Sequence, residues 1–300
     1  MIVSNLLGKA RIDCFSELLK RCEMLDNAEK LIIDGGAGLG ETAAKILDAT
    51  PGNKGKVIAF EPNPQNVELF RLKDERVVLR QEAVSNFDGE AEFLVTSTTR
   101  EDKSNPYMES GSSYVGKLAG ASGVSNAVSG GDSYPVRVRR IESVLRELGI
   151  SQVDFLKLDL QGAELDALEG LGPMIDKVKW MWIEFSNQPG LLKFLADKGF
   201  VIFDTEYLFV GEPIDLIEEL FEVTRVGQNS IGKKIFFGNR RHVWRDYEAG
   251  FNFCKARRRM IQTDIAAVHP EYLPAFLEAA LDLMPSLPEG LRWTIPRGLF

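Results

Sequence analysis

The sequence predicts an α/β fold, a mostly parallel sheet with helices on both faces. Apolar, β-rich runs near 30–34, 56–60, 76–80, 153–158, 179–185, 200–204 and 233–238 alternate with helical segments, the pattern of a parallel sheet wound through crossover helices. Phe155-Leu156-Lys157-Leu158 and Trp180-Met181-Trp182-Ile183 are almost continuously apolar, as strands covered on both faces are. A glycine-rich turn, Asp34 to Gly40, leads from the first strand into a helix.

In chain order, Ile12, Phe15, Leu18, Leu19 and Cys22 mark an amphipathic helix over 8–24. The glycine turn is followed by a helix from Glu41 to Asp48. Lys56 to Phe60 is the second strand and ends in Glu61. Asn63 suits an N-cap and Pro64 a first helical position, opening a helix through Leu72. Residues 96–133 are rich in Ser, Gly, Asn and Thr and lack periodicity, with Gly111-Ser112-Ser113 and Ser129-Gly130-Gly131 as flexible punctuation. A loop of that length is either a lid over a ligand or a disordered insertion. Beyond Trp244, Tyr272, Leu273, Phe276, Leu277, Ala280, Leu281 and Met284 form a helical apolar stripe that needs a partner surface. Pro285, Pro288 and Pro296 then break the chain. The expected division is a main domain over 1–240 and a helical C-terminal extension over 241–300. The extension would pack on the sheet, shape the substrate site or form a homodimer contact.

Composition narrows the function. The 300 residues contain 44% hydrophobic residues and carry a formal net charge of −8, which argues for a sizeable core and against a nucleic-acid surface. The basic run Arg257-Arg258-Arg259 sits in a helical context and reads as a solvated face. The three scattered cysteines, Cys14, Cys22 and Cys254, have no metal-ligand spacing and suit a reducing cytoplasm. No apolar run is long enough to span a bilayer, and Lys9, Arg11 and Asp13 interrupt any signal-peptide core.

The glycine turn points to a nucleotide-like ligand, because glycine lets a ligand approach the backbone and the helix behind it aims its dipole there. The dinucleotide fingerprint is G-x-G-x-x-G. Here Gly36, Gly38 and Gly40 bring the third glycine one residue early. This spacing looks more like the first motif of S-adenosylmethionine (SAM) methyltransferases, although a turn built for geometry alone would read the same way. Glu61, about 20 residues on, is placed to accept from ribose hydroxyls, a use common to NAD and SAM proteins, or is an ordinary exposed acid.

A third segment adds more. Val153-Asp154-Phe155-Leu156-Lys157-Leu158-Asp159-Leu160-Gln161-Gly162-Ala163-Glu164 resembles the hallmark of FkbM-type methyltransferases, a strand ending lysine–apolar–Asp–apolar–Glu-Gly-Ala-Glu. Asp159, Gly162, Ala163 and Glu164 match, whereas Gln161 replaces the usual Glu. Asp34 to Gly40 is similar to the family's Asp-x-Gly-Ala-x-x-Gly, and Phe60-Glu61-Pro62-Asn63 to its Phe-Glu-Pro-Asn. Ala83-Val84-Ser85 stands where the family contacts the adenine end. Val136 to Leu145 and Trp182-Ile183-Glu184 resemble the segments flanking the hallmark strand. The resemblance covers roughly residues 30 to 205. It implies the Rossmann-like seven-stranded SAM methyltransferase fold and SAM as cofactor, with S-adenosylhomocysteine (SAH) as product. It further implies a cofactor set of Asp34, Gly36, Ala37, Gly38, Gly40, Glu61, Pro62, Asn63, Glu82, Ala83, Asp159 and Leu160.

Methyl transfer from a sulfonium is an in-line displacement in which positioning carries much of the catalysis. A hydroxyl acceptor further benefits from a base or a metal. Asp159, Glu164 and Glu184 are the candidate catalytic acids. Convergent, they would form a base with its orienting partner or a hard oxygen site; Mg²⁺ is compatible with them but not expected. Otherwise, Asp159 and Glu164 cap a helix and hold the loop. His242 is an alternative base, and His269 reads as a surface residue before Pro270. The leading expectation is a cytoplasmic SAM-dependent O-methyltransferase acting on a sugar hydroxyl or a small secondary metabolite. The alternatives are a catalytically inactive SAM-fold assembly subunit and an NAD-type oxidoreductase.

Overall fold

In a computed structural model of the chain, the residues described are 14–21, 29–100, 113–120, 133–186, 190–204, 235–237, 242–243 and 262–283. In chain order their elements are α1 (Cys14–Arg21), β1 (Leu31–Gly35), α2 (Glu41–Ala49), β2 (Lys56–Phe60), α3 (Pro64–Leu69), β3 (Val77–Arg80), β4 (Ala83–Val84), β5 (Gly89–Arg100), β6 (Ser113–Leu118), β7 (Ser133–Arg139), α4 (Ile141–Glu147), β8 (Val153–Leu158), α5 (Glu164–Glu169), β9 (Val178–Ser186), α6 (Leu191–Asp197), β10 (Val201–Asp204), β11 (Ile235–Phe237), β12 (His242–Val243), β13 (Gln262–Val268) and α7 (Leu273–Leu283). The fold class is the α/β, Rossmann-like one, and each of the seven strands predicted from sequence is present. The chain divides into two compact units, Leu25–Lys179 and Met1–Met24 with Trp180–Phe300.

In the first unit β8, β1, β2 and β3 form a parallel array in that order. Ile32, Ile33, Val57, Ile58, Phe155 and Leu156 are all within 1% of complete burial, so trimming any of them to alanine costs on the order of 2–5 kcal/mol. Asp154 is tolerated inside this apolar strand because its carboxylate accepts from the Leu31 amide and pairs with Lys30 and Lys179. Gly35 lies level with Phe60 and with Leu158. That register brings the glycine turn, Glu61 and Asp159 to one edge, the carboxyl ends of the strands, where open α/β sheets bind ligands.

A second sheet, in the order β4-β7-β5-β6, is antiparallel apart from its β4–β7 pair. Ala83, Phe93, Val95, Leu118, Val136 and Val138 form its own small core. Part of the segment 96–133, read from sequence as irregular, is therefore strand. The strand residues inside it are the outer end of β5, β6 and the first residue of β7, and their Ser, Gly and Thr content leaves no period-two apolar pattern to read. The rest of the expected lid, 101–112 and 121–132, lies outside the described residues.

In the second unit β13 inserts antiparallel between β9 and β10, while β10 pairs parallel with β11 and β12 closes antiparallel on β11. The C-terminal tail is thus not purely helical. Ile265, Ala266, Ala267 and Val268 of β13 are buried to 2% exposure or less, and this burial overrides the weak strand propensity of its alanines. The apolar stripe of α7 finds its partner within the unit: Phe276 and Leu277 are buried, and Phe276 packs on Trp180. Phe15, Leu18 and Leu19 of the amphipathic α1 are buried, with Phe15 edge-on to Trp182. Among the described residues no helix is long and apolar enough to cross a membrane. Arg257 to Arg259, Cys22, Cys254, Met284 and the prolines of the chain end lie outside the described residues.

Candidate functional site

Three glycines shape the turn after β1 for three different reasons. At Gly36 (φ 80°) a Cβ would stand 2.0 Å from the carbonyl oxygen of Asp159, so the close approach that demands glycine here is to β8's own end. At Gly40 (φ 94°), the N-cap of α2, a Cβ would meet the Phe70 ring at 2.8 Å. At Gly38 (φ 55°) a Cβ would meet nothing within 4 Å, because that side faces open space. The amides of Gly36 and Ala37 donate to the Phe60 carbonyl at 3.0 and 2.9 Å, tying the turn to the end of β2.

Glu61 locks the other side. One carboxylate oxygen accepts from the Gly38 amide at 2.8 Å, and the other accepts from the Asn63 amide at 2.9 Å and the Asn66 side chain at 3.2 Å. It is 4% exposed, and burial pushes its pKa up to about 7 against these hydrogen bonds. Asn63 caps α3, accepting from the Gln65 amide at 2.9 Å, while its own Nδ2 is buried without a partner. Glu82 is held by Arg80 at 2.6 Å, with Arg137 and Arg139 at 3.4 and 3.6 Å.

The loop after β8 presents Asp159. Its Oδ2 lies 3.1 Å from Lys157 Nζ, and its Oδ1 accepts from Gln161 Nε2 at 2.8 Å. The Asp159 side chain is 40% exposed and that of Lys157 only 9%. Glu164 is fully buried behind the loop, accepting from the amides of Leu160 (2.7 Å) and Gly162 (3.1 and 3.2 Å). Burial pushes its pKa up to about 7. Asp34 is also fully buried, and neither of its oxygens has a hydrogen-bond partner. Burial raises it to about 6 against the pull of the Lys157 charge.

These groups surround a cavity of about 270 Å³, just below the size of common small-molecule sites, roughly 300–1,000 Å³. Of the residues expected from sequence, Gly36, Ala37, Gly38, Glu61, Pro62, Glu82, Ala83, Asp159 and Leu160 line it. Asp34, Gly40, Asn63 and Glu164 are not in the lining; they stand behind it and shape the turn and loop. Glu184 belongs to β9 in the other unit, opposite Asp264 of β13. His242 lies opposite Phe237 in β12. His269 accepts from the Glu271 amide through Nδ1 at 3.3 Å and packs edge-on to Phe200. Sequence reasoning gave no site role to Thr42, Asn66 or Gln161, which lie within or beside its motifs and line the cavity. It also missed Phe93, Gly116 and Leu118, which come from the second sheet and carry no motif.

Residues 34–202 match the family model of the methyltransferase FkbM domain. The chain belongs to the FkbM methyltransferase family. It is by that membership a SAM-dependent methyltransferase. Among curated proteins this FkbM methyltransferase is 25% identical over 180 residues to the 2-O-methyltransferase NoeI of Sinorhizobium fredii, covering 55% of this chain and 67% of that one. It is 26% identical over 200 residues to the methyltransferase sdnD of Sordaria araneosa, covering 57% and 73%. A crystal structure of methyltransferase FkbM from Methylobacillus flagellatus is 19% identical with a TM-score of 0.36. That match covers 57% of this chain and 36% of the other, so the FkbM domain here spans little more than a third of that protein.

Proposed function

We propose that this FkbM methyltransferase transfers the methyl group of SAM to a hydroxyl oxygen of a sugar or a small hydroxylated metabolite, with Asp159 orienting or receiving the hydroxyl proton. One observation carries the reading: Asp159, a half-exposed carboxylate, lines the same cavity as Gly38 and Glu61. The name of its relative NoeI, a 2-O-methyltransferase, supports an oxygen acceptor. When bound, SAM supplies an electrophilic methyl group on a sulfonium sulfur.

The residues fit such a ligand. The missing Cβ of Gly38 leaves room against the backbone, and Glu61 offers buried carboxylate oxygens to ribose hydroxyls at the turn. Ala83, Val84, Phe93 and Leu118 supply an apolar wall suited to a base. Asp159 and the Lys157 ammonium fix a local dipole that holds an acceptor hydroxyl in line.

Tritiated SAM incubated with a panel of methyl glycosides, simple polyols, amines and carbon acids, with and without chelator, tests the proposal. Transfer to oxygen that survives the chelator is expected; transfer to amines or carbon alone would overturn it. A catalytic part for Glu184 belongs to the same proposal and predicts slower transfer in Glu184→Gln. So do a cytoplasmic location, dimerisation through the C-terminal helices and a division near residue 240, which fractionation, light scattering and limited proteolysis respectively check.

A further inference from the structure

We infer that Gln161 is the positioning residue for Asp159, holding its carboxylate in one orientation at the cavity wall. The inference rests on the proposed role of Asp159 and extends it to the residue of the hallmark segment that departs from the family pattern.

Three observations meet at Gln161. It is the one non-glycine residue with positive φ among those described, at 54°, and backbone strain of this kind persists only where the surroundings enforce it. Its side chain lines the cavity. Its amide donates to Asp159 Oδ1 at 2.8 Å while Lys157 Nζ faces Oδ2 at 3.1 Å. Each carboxylate oxygen thus has a fixed donor, and the rotation of the Asp159 side chain is blocked from both sides.

The chemistry explains why an amide serves here. A glutamate at 161 would set a second carboxylate at hydrogen-bond distance from Asp159, and two such groups must share a proton. Asp159 is already faced by two other acids, Asp34 from β1 and Glu164 from α5, with Lys157 from β8 as the cation. Gln161 adds a donor to Asp159 without setting a further negative charge beside it.

The test follows the Asp159 carboxyl carbon by ¹³C NMR through a pH titration, assigned by its loss in Asp159→Asn. Gln161→Met keeps the length and removes the donor. Gln161→Gly removes the side chain while accepting positive φ, so it carries the test if Gln161→Met does not fold. In both, the Asp159 midpoint should rise by about one unit, the scale of one lost hydrogen bond to a charged group. In Gln161→Glu the titration should split into two coupled steps with the upper one raised further. Midpoints in Gln161→Met and Gln161→Gly within about 0.3 unit of wild type would overturn the inference. Methyl transfer by Asp159→Asn separates the two readings. Wild-type transfer sinks the role of Asp159 and leaves the titration standing as local structure only, whereas slow transfer with unmoved midpoints sinks Gln161 alone.

Discussion

Lys157 Nζ stands 3.1 Å from Asp159 Oδ2, a buried cation against a half-exposed anion at the end of one strand. Lys157 lies near the end of β8 and Asp159 opens the loop that follows, so the end of the strand brings the two together. Lys157 is also level with Asp34 of β1, whose buried carboxyl feels the lysine's charge. One lysine therefore serves a buried acid on one side and a cavity acid on the other.

Removing the cavity acid should separate binding from chemistry. Asp159→Asn is nearly isosteric, and its amide still accepts from Gln161. It should keep SAM affinity within a few-fold by calorimetry and lower the transfer rate by about 10²–10⁴. Full activity in this variant would exclude Asp159 from the reaction.

Glu61→Ala should weaken SAM binding by about 1–3 kcal/mol, the scale of a hydrogen bond to a charged group. It also frees the Gly38 amide, so amide exchange at Gly38 should speed up. Unchanged affinity with a folded turn would remove Glu61 from the ligand site.

The glycines should part company on substitution. Gly36→Ala drives a Cβ into the Asp159 carbonyl and should cost about 2–5 kcal/mol of stability, overpacking added to left-handed strain. Gly38→Ala meets no atom and should cost only about 1–2 kcal/mol, yet weaken SAM binding because its methyl enters the cavity. Denaturant unfolding and calorimetry on the pair check both halves; equal stability losses would refute the distinction.

Stability should fall as pH rises from about 4.5 to 7. Glu164 has a folded-state pKa raised from 4.5 to about 7, so between these values the folded state holds more protons than the unfolded one. Linkage then makes unfolding easier with each step up in pH. Its contribution is complete below the unfolded value and lost as pH passes through the folded one. Glu61, raised from 4.5 to about 7, and Asp34, raised from 3.8 to about 6, act in the same direction. Glu164→Gln should lower stability overall but flatten this slope in urea titrations at several pH values. An unchanged slope would show that Glu164 does not titrate there.

Gly116 makes room for a wall of the cavity. A Cβ there would lie 2.3 Å from the Phe93 ring, so Gly116→Ala should displace the ring and weaken ligand binding about tenfold or more, equivalent to about 1.4 kcal/mol. Calorimetry with SAH measures this directly, and wild-type affinity would count against Phe93 as a wall.

Short-range chemistry was legible in the sequence. The seven strands announce themselves by apolar runs, because a strand covered on both faces can hold little else. The glycine turn, Glu61 and the Asp159 segment follow directly from strand ends, so their shared edge follows from a parallel register. The strands β5, β6 and β13 were not legible, since their small and polar residues become strand only through pairing with distant partners.

What the sequence by itself determined is the parallel α/β core and the residue types at its carboxyl edge, because periodicity and glycine spacing are local properties. Only the tertiary structure decided what each of those residues does. Gly36 answers to Asp159's carbonyl and Gly38 to the open cavity. Glu164 turns back to hold the loop, while Asp159 turns out. Phe93, Gly116 and Leu118 arrive from a second sheet to close the wall. These outcomes depend on distances between segments far apart in the chain, and such distances are set by packing, which no local pattern encodes.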